Sequence, residues 1–191
     1  VLEQALAQMA AWQEKGLGLV PVSVNLSRVT MVCPTTPASI LALQSHYPSI
    51  PPEALEIEIT ERGPMETETF QDAVEKYSAC GLRLSLDDFG SQYANLSLFT
   101  NVRFDTVKLD RSLIARLGDN PVNEALVRDI IAICRTYGMN CVAEGVETEE
   151  HAALLRSLGC RFAQGYYYDK PLAAADFEEK YLWRRTLRFS D

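Results

Sequence analysis

Residues 84–90, Leu-Ser-Leu-Asp-Asp-Phe-Gly, run an apolar strand into two adjacent carboxylates, Asp87 and Asp88, ahead of a glycine-marked turn. Two negative charges where a strand leaves the core call either for a cation or for the backbone N–H groups of a following helix or Asx turn. Alternation places Arg83, Ser85 and Asp87 on one strand face and Leu84 and Leu86 on the other. The pattern recurs along the chain: Asn25, Glu58, Lys108, Glu144 and Gln164 each fall near the C-terminal end of a predicted strand. Asn25, Glu58, Asp87, Asp88 and Glu144 offer only oxygen ligands, a set that suits Mg²⁺ or Mn²⁺ and not zinc or copper. Adjacent carboxylates joined by others from neighbouring strands suggest two ions with Asp87 shared between them. Such a pair activates water and stabilises the charge of an in-line phosphoryl displacement. Lys108 inside that ring could position the water or neutralise a phosphate oxygen. Alternatively it is a structural ion-pair partner of Asp88 or Asp110. His46 and His151 have no partner at ligand spacing and read as ordinary residues.

The elements that must position these groups follow from periodicity. Residues 1–15 place Leu2, Leu6, Met9 and Trp12 at helical spacing, with Gly16 and Gly18 as stop signals. Strands are predicted at 21–27, 54–60, 83–89, 104–110, 140–146 and 162–168. Between them lie a short helix within the proline-rich stretch 30–52 and helices over 66–80, 93–99, 121–137 and 148–158. A terminal helix is expected over 173–183. In the helix at 121–137 the apolar stripe is read as Leu126, Ile130, Ile133 and Cys134. Strands alternating with helices imply parallel βαβ units. One face of nearly every strand is polar at the same level, whereas a doubly wound sheet buries both faces and reads as continuous apolar runs. The fold expected is therefore an α/β, TIM-barrel-like (β/α) barrel with its functional groups on the C-terminal rim.

At 191 residues with 47% hydrophobic content the chain fits a single globular domain over 1–191. A formal charge of −8 disfavours polymeric nucleic acid and anionic membranes, which attract basic surfaces. A phosphate-bearing ligand would need positive charge supplied locally. The five cysteines are widely spaced with no Cys-x-x-Cys pair, which predicts reduced, mostly buried thiols in a cytoplasmic setting.

Six stretches in order, Val-Ser-Val-Asn-Leu-Ser (22–27), Glu-Ile-Thr-Glu (58–61), Leu-Asp-Asp-Phe-Gly (86–90), Val-Lys-Leu-Asp (107–110), Ala-Glu-Gly-Val-Glu (143–147) and Gln-Gly-Tyr-Tyr-Tyr (164–168), resemble the motifs of the EAL-domain cyclic di-GMP phosphodiesterases. The resemblance spans essentially the whole chain. It implies a TIM-barrel-like fold and cleavage of cyclic di-GMP to linear pGpG with Mg²⁺ or Mn²⁺. It also implies that Asn25, Glu58 and Asp87 bind the first metal, and Asp87, Asp88 and Glu144 the second. By the same resemblance Lys108 and Glu144 handle the nucleophilic water, Gln164 hydrogen-bonds near the scissile phosphate, and Glu61, Asp110 and Glu147 are supporting residues. A homodimer attached to sensory or other signalling domains is implied as well. The chain departs from the pattern in two ways. The Glu-Ala-Leu strand that names the family is absent, so the barrel is expected to be N-terminally incomplete with two open sheet edges. Residues 88–96 read Asp-Phe-Gly-Ser-Gln-Tyr-Ala-Asn-Leu, where the family usually has a glycine at Gln92 and serines at 94 and 95. These departures leave a second reading open, a catalytically idle relative acting as a cyclic di-GMP receptor or protein-interaction module.

Overall fold

In the computed structural model, residues 1–60, 67–91 and 102–183 are described. Six strands form one sheet in the order β1 to β6, every neighbouring pair parallel: β1 (Val22–Asn25), β2 (Leu55–Thr60), β3 (Arg83–Phe89), β4 (Thr106–Leu109), β5 (Asn140–Ala143) and β6 (Phe162–Ala163). Helices separate them: α1 (Leu2–Glu14), α2 (Arg28–Met31), α3 (Thr36–Gln44), α4 (Thr67–Ala79), α5 (Arg111–Ile114), α6 (Pro121–Thr136), α7 (Glu149–Ser157) and α8 (Ala174–Phe177). The sheet curls as an open half-barrel of the TIM-barrel type, with β1 and β6 as its two edges among the described residues. The helix expected over 93–99 lies outside those residues, as does Glu61.

Alternation along the strands builds the core. Leu55, Ile57 and Ile59 on β2, Leu84 and Leu86 on β3, and Val107 and Leu109 on β4 are fully or almost fully buried and pack with the helix layer. The opposite face carries the polar row. A separate apolar cluster joins α1 to the C-terminal segment through Leu6, Met9, Trp12 and Leu182. The stripe on α6 is Val127, Ile130, Ile131 and Cys134, while Leu126 is exposed. The spacing is helical as expected, but the buried arc is centred closer to Val127, because the sheet lies on that side.

Two elements are shorter than their sequence pattern. β1 ends at Asn25, where Leu26 N–H still donates to the Glu58 carbonyl at 2.9 Å. β6 ends at Ala163, and residues 164–168 are not strand. There the chain turns against the segment following β5: Val146 N–H donates to the Gln164 carbonyl at 3.1 Å, and Tyr167 N–H donates to Val146 at 3.0 Å. Gly165 allows this approach, because a Cβ at that position would lie 2.2 Å from the Val146 carbonyl oxygen. Of the cysteines, all free, only Cys134 and Cys141 are buried; Cys33 is exposed and Cys80 and Cys160 are intermediate, so "mostly buried" is corrected.

Candidate active site

A slip in the β3–β4 register brings the two aspartates together. Leu86 pairs with Val107 and Phe89 with Leu109, so three steps along β3 match two along β4. The extra residue is a β-bulge, and Asp88 sits in it with φ of 58°, the one positive φ outside glycine among the described residues. In a regular strand Asp87 and Asp88 would face opposite sides of the sheet. The bulge turns both to the polar side at a strained backbone position, a type of feature concentrated at functional sites. One carboxylate oxygen from each of Asp87, Asp88 and Glu144 lies within 4.8 Å of the others.

Lys108, from β4, occupies the centre. Its Nζ is 2.7 Å from Glu144 Oε1, 3.0 Å from Glu58 Oε1 and 3.2 Å from Asp87 Oδ1. The lysine side chain is 10% exposed and the three carboxylates 10–17%, so the ion pairs are partly shielded from water. Burial by itself would push the Lys108 ammonium down, but the hydrogen bonds and charges of Glu144 and Glu58 outweigh it and the net shift is upward. Burial pushes the Glu144 carboxyl up, and the charges of Asp87 and Glu58 add to this while Lys108 opposes it. The alternative reading, in which Lys108 is an ion-pair partner of Asp88 or Asp110, differs in its partners, which are Glu144, Glu58 and Asp87. Asp110 instead caps α5, its Oδ1 accepting from Ser112 N–H at 2.9 Å.

The remaining predicted groups gather around this centre. Asn25 Nδ2 donates to Glu58 Oε2 at 3.3 Å, which leaves the amide oxygen as its ligand atom. Gln164 Nε2 donates to Glu144 Oε1 at 2.6 Å, so that oxygen is held between an amide and an ammonium. Gln164 keeps its place at the rim although β6 stops one residue earlier, because its N–H donates to the Ala143 carbonyl at 2.8 Å. Glu147, Asp88, Glu144 and Gln164 line a cleft of about 1270 Å³ that runs along the open side of the sheet toward Ser23 on β1.

These donors fit a hard divalent cation. Asp87 Oδ1 is buried and accepts no hydrogen bond, its contact there being the 3.2 Å ion pair with Lys108 Nζ, which leaves it lone pairs to offer a divalent cation. Oxygens sharing an ion at about 2.1–2.4 Å can be no more than roughly 4.2–4.8 Å apart, which the Asp87, Asp88 and Glu144 separations meet. Four carboxylates, Glu58, Asp87, Asp88 and Glu144, face one ammonium, and every donor atom is oxygen.

The order, spacing and placement of these residues agree with relatedness across the chain. The EAL domain family model matches residues 1–171. The chain belongs to the EAL domain family. This EAL domain is 30% identical over 184 residues, 95% of its length, to the cyclic di-GMP phosphodiesterase PdeR of Escherichia coli, of which it covers 27%. It superposes on the crystal structure of the EAL domain of Mycobacterium smegmatis DcpA with a TM-score of 0.87 at 33% identity, covering 93% of this chain and 80% of that one. A Klebsiella pneumoniae BlrP1 structure, a manganese and cyclic di-GMP complex, matches with a TM-score of 0.77 at 28% identity over 91% of this chain and 44% of that one. The chain spans about a quarter of the length of the curated relatives it matches.

Sequence reasoning passed over the aromatic and cationic wall of the cleft, where Tyr166, Tyr168, Lys170 and Arg111 stand beside the acidic rim. For the tyrosines and Lys170 the signal is the Tyr-Tyr-Tyr-Asp-Lys-Pro run at 166–171, whose tyrosines fall in the strand expected over 162–168. Arg111 packs against Gly145, where an added Cβ would lie 2.4 Å from Arg111 Cβ, so the glycine after Glu144 makes room for that cation's stem.

Proposed function

We propose that this EAL domain hydrolyses one phosphodiester bond of cyclic di-GMP, giving linear pGpG, with Mg²⁺ or Mn²⁺ bound at the β3 bulge. The observation that carries the reading is the convergence of carboxylate oxygens from Asp87, Asp88 and Glu144 within 4.8 Å of one another, beside a cleft large enough for a dinucleotide. Asp87, Asp88 and Glu144 would hold one ion, and Asn25, Glu58 and Asp87 the other. The bound ions supply an activated water and charge neutralisation at the phosphate.

The chain's own groups do the rest. Lys108, kept charged by Glu144 and Glu58, stabilises negative charge developing on the phosphoryl oxygens. With Glu144 it also positions the nucleophilic water. Gln164 fixes the rotamer of Glu144 and presents its amide near the scissile phosphate. Glu147 lines the same wall, and Asp110 holds the turn into α5 that carries Arg111. The acidic overall charge opposes polymeric nucleic acid, and the cyclic dinucleotide follows from the family the chain belongs to. A homodimer, attached signalling domains and a cytoplasmic position complete the proposal. Among the described residues no helix is long and apolar enough to cross a membrane.

The test is incubation with cyclic di-GMP in Mn²⁺, Mg²⁺ or EDTA and chromatographic separation of the nucleotides. Linear pGpG appearing with either metal and not with EDTA is expected. Binding of the dinucleotide without cleavage, in this chain and in a form extended at its N-terminus, would refute hydrolysis and establish the receptor reading.

A further inference from the structure

The rim has positive charge for only one phosphate. Glu58, Asp87, Asp88 and Glu144 set four carboxylates against the single Lys108 ammonium, and the two divalent ions of the proposed site turn that deficit into a surplus of about one charge. One phosphodiester cancels it. A cyclic dinucleotide carries a second phosphodiester, which must enter a cleft whose wall already holds Asp110, Glu147 and Asp169. Bringing an anion there without a counter-charge is costly.

Among the described residues the cations lining this cleft are Arg111 and Lys170. Arg111 opens α5 directly after β4, and Lys170 follows the turn after β6. β4 and β6 flank β5 at about 10 Å from each other, so the two long side chains stand on either side of the strand end that carries Glu144. Neither is committed to a carboxylate. Among the described residues Lys15 pairs with Glu178, Lys108 with the rim, Arg128 with Glu124 and Lys180 with Asp169, whereas the Arg111 guanidinium and the Lys170 ammonium have no carboxylate in ion-pair range. The adjacent acids are already occupied. Asp110 accepts from Ser112 N–H at 2.9 Å, and Asp169 accepts from Lys180 Nζ at 2.5 Å and from the Tyr181 hydroxyl at 2.7 Å. Neutral groups position the two cations instead. The Arg111 stem rests on the bare backbone of Gly145, where an added Cβ would lie 2.4 Å from Arg111 Cβ. Lys170 Nζ stands 5.7 Å from the centroid of the Tyr166 ring, which faces the same cleft. In a chain of net charge −8, two unpaired cations facing one cleft make a local anion site.

We propose that Arg111 and Lys170 form a second phosphate subsite, which takes the phosphodiester of cyclic di-GMP that is not cut; this rests on the reading of the rim as a cyclic di-GMP site. The Arg111 guanidinium can meet two phosphate oxygens with parallel N–H donors, and Lys170 adds a point charge from the opposite side. Holding the uncut phosphate at the end of β5 fixes the ring of the dinucleotide relative to Glu144 and Gln164, so the other phosphate is delivered to the carboxylate rim. The cleft then favours a ligand with two phosphodiesters over a dinucleotide with one.

The test is calorimetric titration of the full 191-residue chain with cyclic di-GMP and with GpG, the linear dinucleotide that keeps a single phosphodiester. Both titrations are run in Ca²⁺, an oxygen-seeking cation that lets the rim take one phosphate, and the nucleotides are chromatographed afterwards to establish that they are uncut. Arg111→Gln should weaken cyclic di-GMP about 10–100-fold, the loss of a charge-assisted hydrogen bond, and leave GpG within about twofold. Lys170→Gln should weaken cyclic di-GMP about 2–5-fold with GpG again unmoved, and Arg111→Lys should recover part of the loss. Equal losses for the two nucleotides, or no loss for either, would overturn the subsite. Should Arg111→Gln melt lower than the parent because its stem no longer packs on Gly145, the exposed Lys170→Gln variant decides by the same comparison. A parent chain that binds neither nucleotide overturns the cyclic di-GMP reading and the subsite with it, whereas a parent that binds cyclic di-GMP as tightly as its variants do overturns the subsite alone.

Discussion

Replacing Lys108 by methionine keeps the aliphatic stem and removes the charge that holds Glu58, Asp87 and Glu144 together at 2.7–3.2 Å. Breaking a buried ion pair from one side costs about 3–5 kcal/mol, because the partner charge is left unpaired. Here three partners lose the same ammonium, though their 10–17% exposure lets water return some of the difference, so the middle of that range is expected. For a chain of this size each kcal/mol moves the melting temperature by about 2–4 °C, so a loss of about 4 kcal/mol should lower the melting temperature of Lys108→Met by roughly 8–16 °C in EDTA. Divalent cation should act in the opposite direction. An ion at about 100 times its dissociation constant adds about 2.7 kcal/mol, and the variant, with no internal cation competing for the carboxylates, should gain more from Mn²⁺ than the parent does. Turnover of cyclic di-GMP should be lost even where Mn²⁺ restores stability. The assay is thermal melting with EDTA and with a Mn²⁺ titration. Melting within about 1 °C of the parent in EDTA, or equal Mn²⁺ gains for the two chains, would show that the carboxylates are not held against one another by this lysine.

Asp87→Asn removes the carboxylate proposed to be shared between the two ions and should eliminate Mn²⁺ binding in calorimetric titration; retained affinity would exclude Asp87 as a ligand. Gln164→Ala frees Glu144 from its 2.6 Å hydrogen bond and should lower metal affinity or activity about 10–100-fold, measured by activity against Mn²⁺ concentration. Gly165→Ala drives a methyl into the Val146 backbone and should cost about 1–3 kcal/mol, read as a lower urea midpoint; an unmoved midpoint would mean the turn after β6 relaxes freely. Glu144 is raised by burial, so its proton persists to higher pH than on an ordinary carboxyl near 4.3. Mn²⁺ affinity should therefore fall on acidification before exposed carboxylates titrate. Lys108 is raised too, and its ion-pair stabilisation is present below the ordinary lysine value near 10.4 and lost only above the still higher folded value. Activity followed up to about pH 10 should show no loss assignable to this ammonium.

Much of the fold was legible because burial imposes simple periods. Leu55, Ile57 and Ile59 alternate with Glu56, Glu58 and Thr60, and one face of that strand is indeed in the core. The residues collected at strand ends were readable for the same reason, since a parallel βαβ chain returns every strand end to one rim. What misled were local patterns whose outcome depends on neighbours. Leu126 fits the helical stripe of α6 as well as Val127 does, yet it is exposed, because the stripe's centre is set by where the sheet lies. The Gln-Gly-Tyr-Tyr-Tyr run is strand-like in composition, but Gly165 lets it turn onto Val146 instead of extending β6.

Residue types and order were enough to place oxygen donors and one lysine at a common rim, a set suited to a hard cation, because those chemistries are written in side chains. Only the folded chain decided how they pair. A one-residue slip between β3 and β4, with Asp88 at positive φ, put two consecutive aspartates on the same side and left Asp87 Oδ1 buried without a hydrogen bond. No alternation rule contains that slip, because it is a property of how β3 pairs with β4 and not of either strand alone.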